Sequence, residues 1–396
     1  MKKLILLRHP LLAVVALDLL AVVHPGFAQI WMPTSAPMAN WNSVASSADG
    51  SVLVAAVGGI YFTSFTGPIY TSTDSGATWT TTSAPITNWS SVASSADGTK
   101  LVAAAYGGLI YTSKESSATW MATSAPYAYW SAAAASADGG KLVAAGDLIY
   151  TSTDAGLTWM ATSGIGNAVA SSADGIKLVA AYLGSWPNHD GRIYTSTNAG
   201  SAWMEANVPM TFWHCVASSA DGSKLVAAPG IGYGGPIYTS TNSGATWTVS
   251  STPGLLWSSV ASSVDGTKLV AAGGSAIYTS IDSGVTWIPA DAPVTNWSSV
   301  ATSADGSKLV AVANGGGIWT SQSTPAPLLS LTPSGGNLVL SWTVPSMDFL
   351  LQQNPDLTTT NWTEVTNTPT LNLTNLQNQV TLSSPVGYRF YRLKSP

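Results

Sequence analysis

One phrase recurs seven times along this chain with small variations: a Trp, a run such as Ser-Val-Ala-Ser-Ser-Ala-Asp-Gly, a strand-like Lys-Leu-Val-Ala-Ala, then Ile-Tyr-Thr-Ser and a closing Thr-Trp. Its Asp-Gly pairs begin at Asp49, Asp97, Asp138, Asp174, Asp221, Asp265 and Asp305, 36 to 48 residues apart. A unit of this length cannot bury a hydrophobic face alone, so neighbouring repeats must stack. Each repeat holds only strand-like segments. In the second, residues 89–95 are β-rich, Asp97-Gly98 supplies turn chemistry, and residues 100–104 make the next strand. A bend at Tyr106-Gly107-Gly108 leads to residues 109–112, and residues 119–122 make the fourth strand. Four antiparallel strands at this period predict one blade of a β-propeller. Ala and Ser on the crowded inner strands let backbones approach, while Trp and Tyr suit the wider outer wedge.

The ends of the repeat array predict its closure. After Ile318-Trp319-Thr320-Ser321 the seventh repeat breaks into Gln322-Ser-Thr-Pro-Ala-Pro without a closing Trp, whereas residues 29–37 (Gln-Ile-Trp31-Met-Pro-Thr-Ser-Ala-Pro) match the closing strand at residues 120–126. The expectation is an all-β chain: a seven-bladed β-propeller over residues 29–323, closed by its N-terminal strand so that no sheet edge stays open. A Pro/Gly-rich linker at 324–336 and a small β domain at 337–396 follow. Strands are expected there at residues 338–342, 349–353, 362–365, 379–382 and 388–393. Leu-Ser-Trp342 and the Tyr-Arg-Phe-Tyr-Arg-Leu ending resemble fibronectin type III or immunoglobulin-like modules.

Residues 1–28 read as a secretory signal: Lys2, Lys3 and Arg8, an apolar run from Leu11 to Val23, and a small-residue cleavage site at Gly26-Phe27-Ala28. The expected localisation is secreted or periplasmic, with no membrane span after cleavage. With 14 Lys and Arg in the whole chain, electrostatic binding of nucleic acid is excluded. Cys215 is the single cysteine, so no disulfide framework exists; it is aligned with Ser90, Ser258 and Ser298 of other repeats and reads as a buried small residue. A monomer is expected.

The turn between third and fourth strands carries Ser72-Thr-Asp74-Ser-Gly76-Ala-Thr78-Trp79, repeated at residues 152–159 and 280–287, with Asn198 and Asn242 replacing the Asp in two repeats. This Ser-x-Asp-x-Gly-x-Thr-Trp pattern resembles the Asp-box, or BNR, repeat of sialidases, Vps10-type sorting receptors, xyloglucanases and photosystem II assembly factors. The resemblance implies a propeller in which the box braces a hairpin away from the active face. It also implies that a sialidase would need three Arg to hold its substrate carboxylate, with a Tyr nucleophile assisted by Glu. Beyond residue 28 the chain has Arg192, Arg389 and Arg392, two of them in the C-terminal domain, which excludes that activity.

Strand direction places the Asp-Gly turns and the boxes on one face. The loops between second and third strands, and the connectors into the next inner strand, share the other, where sequence varies and binding is expected. Two features there could hold a ligand. Trp41, Trp89, Trp130, Trp213, Trp257 and Trp297 open six inner strands, with Gly166 in the fourth repeat. Their indoles either stack on a sugar or other planar ligand, or wedge between blades. The fourth repeat also carries a long insertion, residues 182–192, with Trp186, His189, Asp190 and Arg192. Gly166 is expected to open a notch beside them, and Tyr61, Phe62, Phe65 and Tyr233 decorate the same face. Glycoside hydrolysis needs paired carboxyls; outside turns and boxes, Asp147, Asp190, Glu205 and Asp291 remain. Two adjacent ligands, His189 and Asp190, fall short of a metal site, and no cofactor is expected. The reading is an exported, non-catalytic binding or scaffold propeller for carbohydrate or protein; the alternative is a glycoside hydrolase or lyase using Asp147, Asp190 or Asp291.

Overall fold

The computed structural model describes residues 29–59, 65–114, 119–185, 188, 190–230, 232, 234–323, 329–343, 350–355, 359, 361–372, 377–383 and 389–394. Among them every element is a strand, and no helix is long and apolar enough to cross a membrane. The leader at 1–28, and Tyr61, Phe62, Trp186, His189 and Tyr233, lie outside the described residues. Two compact bodies form, one of Ile30–Gln322 and one that includes Ser323–Pro396.

The repeats fold as antiparallel strands paired in chain order. In the second repeat these are Trp89–Ser94, Leu101–Gly108, Ile110–Lys114 and Thr119–Ala122. The third to sixth repeats each make a four-stranded sheet of the same order. The first and seventh share one eight-stranded sheet, because the long strand Lys308–Gly316 also pairs with Ala39 and Asn40 of Ala39–Ser46. Gln29–Pro33 occupies the edge of that sheet beside Ile318–Ser323, the place held elsewhere by the Thr-Trp strand.

Backbone hydrogen bonds also link repeat to repeat. The residue before each Asp-Gly turn donates its amide to its counterpart in the next repeat: Ala48 to Ala96, Ala96 to Ala137, Ala137 to Ala173, Ala173 to Ala220, Ala220 to Val264, Val264 to Ala304, and Ala304 to Ala48, all at 2.7–2.8 Å. The apolar cores lie between repeats. Val54, Ala56 and Ile69 of the first meet Trp89, Val92, Leu101 and Ala103 of the second, and equivalent clusters recur at the other junctions. Small residues on the second strands are fully buried, as at Ala103 and Ala104, which lets adjacent sheets approach.

The turns show why Asp and Gly recur. Asp97 accepts from the Ser95 hydroxyl at 2.5 Å and the Thr99 amide at 3.0 Å, closing the loop on itself. Gly98 adopts a φ of +72°, and a Cβ there would stand 2.6 Å from Cβ of Val52, so a side chain is excluded twice. In the Ser-x-Asp-x-Gly-x-Thr-Trp hairpin, Asp74 accepts from the Ser72 hydroxyl, the Thr78 amide and the Thr78 hydroxyl at 2.6–2.9 Å. Gly76 N–H meets the Ser72 hydroxyl oxygen at 2.9 Å, and the Trp79 indole donates to Gly76 O at 3.1 Å.

Strand register corrects one alignment. Cys215 pairs with Ala228 as Ser91 does with Ala104 and Ser259 with Ala272, so it matches Ser91, Ser259 and Ser299; His214 holds the place of Ser90, Ser258 and Ser298. The same bulge follows Trp89, Trp213, Trp257 and Trp297, so equal distances from each Trp fall on equal places in these sheets. Cys215 is buried, and burial pushes its thiol far above the usual range.

In the C-terminal body, strands Ser330–Ser334, Asn337–Thr343, Gln377–Ser383 and Thr370–Asn372 form one sheet, and Thr363–Glu364, Leu350–Asn354 and Phe390–Lys394 another. Ser330–Ser334 falls inside the stretch expected to be linker, because its residues pair in register with Asn337–Thr343. Its core gathers Leu338, Leu340, Trp342, Leu351, Val380 and Tyr391. Buried Gln352 accepts two hydrogen bonds from Arg392, at 2.8 and 2.9 Å, while that guanidinium lies 4.3 Å from the Trp362 ring.

Candidate functional site

Hydrogen bonds divide the repeat body into two faces. On the turn face the Ser-x-Asp-x-Gly-x-Thr-Trp hairpin donates to the Asp-Gly turn of its own repeat, as Ser75 N–H to Ser51 O at 2.9 Å and Ala155 N–H to Gly140 O at 2.8 Å. The repeat lysines belong there too: Lys100, Lys141 and Lys268 donate to the carbonyls of Asp138, Asp174 and Asp305 at 2.7–2.8 Å. On the connector face the loops between second and third strands bond to the connectors, as Gly67 N–H to Thr87 O at 3.0 Å and Gly235 N–H to Leu255 O at 3.1 Å.

The six Trp expected to ring a ligand are buried: Trp41, Trp89, Trp130 and Trp213 have no exposed surface, Trp257 has 1% and Trp297 3%. Indole N–H groups of Trp41, Trp130, Trp213 and Trp297 donate at 3.2 Å to the Pro carbonyl four residues earlier, and Trp257 donates to Gly235 O at 2.8 Å. Each of these five stands against an aromatic ring; Trp130 and Tyr150, for example, meet edge-on at 5.3 Å. No indole face remains for a sugar, so stacking is replaced by packing: these rings fill the wedge between sheets and hold the connectors down.

The fourth-repeat notch is likewise filled. Gly166 is buried, and a Cβ there would meet Ala181 O at 3.1 Å, the Ala180 Cβ at 3.2 Å and Ile149 at 3.5 Å. Trp203 closes on Gly164 and donates to the Thr162 hydroxyl at 3.2 Å. Asp190 accepts from the amide and hydroxyl of Ser185 at 2.6 and 3.0 Å, and these bonds, the backbone one foremost, hold its carboxyl below the usual range. Arg192 forms an ion pair with Glu205 of the neighbouring outer strand. Asp190 and Arg192 thus serve their own loop and sheet.

Every carboxyl with a resolved displacement in the repeat body is held low, chiefly by hydroxyl and amide donors; Asp49 and Asp74 lie at about 2. That is opposite to what a general acid requires. Asp147 and Asp291 are exposed on separate repeats. Among the described residues no group of three His, Cys, Asp or Glu could hold a metal ion. A cavity of about 50 Å³ lies between the first and seventh repeats, lined in part by Gly50, Ser75 and Lys308, on the turn face.

What sequence reasoning missed is a column of exposed apolar residues on the connector face. Three positions before the inner-strand Trp stand Met38, Ile86, Tyr127, Met210 and Val294, from 59 to 88% exposed, and Leu256 serves the sixth repeat at 52%. On the turn face Leu157 and Val285 are exposed, but the same column holds Ala77, Ser201 and Ala245 in other repeats. The signal was readable as a column of large apolar residues outside any strand in five repeats, broken by Ser163 in the fourth and Gly254 in the sixth.

No family model and no curated protein matches the chain. Solved structures do. A structure described as YCF48 bound to D1 peptide has a TM-score of 0.55 at 18% identity, over 78% of this chain and 98% of that one. YCF48 from Cyanidioschyzon merolae gives 0.56 at 14%, over 74% and 98%. The Swd1 (Cps50) β-propeller domain of Myceliophteria thermophila gives 0.57 at 13%, over 75% and 100%. At such identities the likeness is one of fold: this all-β chain is similar to β-propeller proteins.

Proposed function

We propose that this chain is an exported, non-catalytic scaffold whose connector face receives a protein partner. The observation that carries the reading is the exposed apolar column at Met38, Ile86, Tyr127, Met210 and Val294, since repeated exposed apolar side chains on a rigid face suit an interface. The YCF48 structure bound to D1 peptide is of a similar fold and supports a protein ligand over a glycan. In this reading seven blades close into a ring, with Gln29–Pro33 as the last blade's outer strand. The cycle of amide bonds through Ala48 and Ala304 supports that count, and the hydrogen bonds about Asp74 support Asp-box repeats. Residues 1–28 serve as the export leader, and the C-terminal body is an immunoglobulin-like appendage. The insertion at 182–192 contributes to the binding face in this reading. Photo-crosslinking residues placed at Met38, Met210 and Val294 should capture the partner in cells that produce the protein, while the same probe at Leu157 or Val285 should not. Adducts confined to Leu157 and Val285 would overturn the reading.

A further inference from the structure

The second and seventh repeats share one backbone device and differ in what it carries. In each, the second strand runs on to a Gly of positive φ, Gly107 at +66° and Gly315 at +70°, and pairs with the next connector. Tyr129 stands opposite Tyr106, and Ala128 opposite Gly108; in the seventh repeat Asn40 stands opposite Asn314, and Ala39 opposite Gly316. The anchoring bonds match as well, Tyr106 N–H to Asn88 O at 2.8 Å and Asn314 N–H to Asn296 O at 2.9 Å. The fold therefore builds this hairpin as readily with Asn40, Asn314 and Met38 as with Tyr129, Tyr106 and Tyr127. The tyrosines are not demanded by the backbone.

They are nevertheless gathered and presented. Tyr127 is 70% exposed and Tyr129 58%. The Tyr106 and Tyr129 rings lie 5.2 Å apart at 54°. A Cβ on Gly107 would stand 3.5 Å from the Tyr129 ring and 3.6 Å from the Tyr127 hydroxyl, so the rings meet around that glycine. The neighbouring turn adds Asp147, exposed beside Gly146, which lies against the Tyr129 carbonyl.

Charge selects the ligand. Lys100, Lys141, Lys177, Lys224, Lys268 and Lys308 all bond to groups of the turn face. Arg192 is paired with Glu205. Exposed aromatic faces beside a carboxylate attract a guanidinium, which stacks on the rings and can bond the carboxylate in two places. We propose that Tyr106, Tyr127, Tyr129 and Asp147 form a subsite for an arginine side chain on an extended segment of the partner protein. This rests on the connector face being the binding face.

The test uses the full chain and a fluorescein-labelled octapeptide of alternating Arg and Pro, with its Glu-for-Arg counterpart, read by fluorescence anisotropy. The Arg peptide should bind, and the Glu peptide should not. The triple variant Tyr106→Asn, Tyr127→Met, Tyr129→Asn copies the seventh repeat, so it should melt with the wild type while binding the Arg peptide about tenfold more weakly. Asp147→Asn should weaken binding and flatten its salt dependence. Undiminished binding by the triple variant, or equal binding of the two peptides, would sink the subsite; so would cellohexaose binding lost in the triple variant while the Arg peptide fails to bind, since the rings would then serve a glycan. If crosslinks still form through Met210 and Val294 after the Arg peptide has failed, the subsite falls and the binding face stands. Crosslinks only from Leu157 and Val285 would overturn the binding face and, with it, the assignment of the subsite to the partner, even if the peptide binds at the tyrosines.

Discussion

The amide of Ala304 donates to the carbonyl of Ala48 at 2.7 Å, so the hydrogen-bond path that leaves Ala48 for Ala96 returns to Ala48 after one passage through every repeat. At the outer edge the same two repeats are joined differently: Gln29–Pro33 lies beside Ile318–Ser323, and Thr34 N–H reaches Ile318 O at 2.9 Å.

That outer junction depends on Trp31, which is 7% exposed and lies 6.0 Å from Trp297 between ring centroids. Trp31→Ala should cost about 3–5 kcal/mol, the usual loss for a buried aromatic. The Trp31 indole N–H has no hydrogen-bond partner, so Trp31→Phe should cost clearly less. Urea unfolding midpoints decide it, and equal midpoints for the two variants would remove Trp31 as the anchor.

Acid should erode stability in two stages. Burial holds His214 at about 4 against an ordinary 6.5. The folded state therefore binds fewer protons than the unfolded one between those values, and its contribution, full above pH 6.5, is lost as pH falls toward 4. Hydrogen bonds, that from Ser47 largest, hold Asp49 at about 2 against 3.8, and Asp305 is held likewise through Ser303. Their stabilisation is present above pH 3.8 and is lost as pH falls through 2. His214→Ser restores the residue found at Ser258 and Ser298, whose hydroxyls donate to the carbonyls of Trp297 and Trp41. Its melting temperature should be flat between pH 6.5 and 4, with the lower stage unchanged.

At the hairpin braces, Asp154→Asn should melt with the wild type and Asp154→Ala below it. Asn198 already accepts from the Ala202 amide at 2.8 Å and the Ser196 hydroxyl at 2.9 Å. Asn242 meets Thr246 by donating from Nδ2 at 2.8 Å, where Asp154 accepts from the Thr158 hydroxyl. Differential scanning calorimetry of the two variants checks the order.

Gly166 separates packing from vacancy. Gly166→Trp, which would complete the Trp column, should fail to fold, because Ala181 O and the Ala180 Cβ leave about a methyl's width. Gly166→Ala should fold with lowered stability. A folded Gly166→Trp protein with unaltered melting would mean that an open notch exists there after all.

The strands and turns were legible because each repeat restates the same local chemistry: Asp97-Gly98 with positive φ, Trp89 opening an inner strand, Thr119–Ala122 closing a sheet. The packing role of the six Trp was not legible, for one physical reason. Trp41 and Tyr127 are both large aromatics near connectors, yet one is fully buried and the other 70% exposed. Composition does not tell which side of the wedge a ring faces, whereas the place of His214 under Ser90 and of Cys215 under Ser91 follows from counting on from Trp213 and Trp89.

By itself the sequence determined the period, the four strands of each repeat and the hairpin braces, since these rest on bonds among residues two to five apart, as with Ser47, Asp49 and Val52. Only the tertiary structure decided that six Trp pack, that Gly166 leaves no room, and that Tyr106, Tyr127 and Tyr129 gather at one hairpin. Those outcomes depend on how closely neighbouring sheets approach, a distance set by all the side chains of two repeats together.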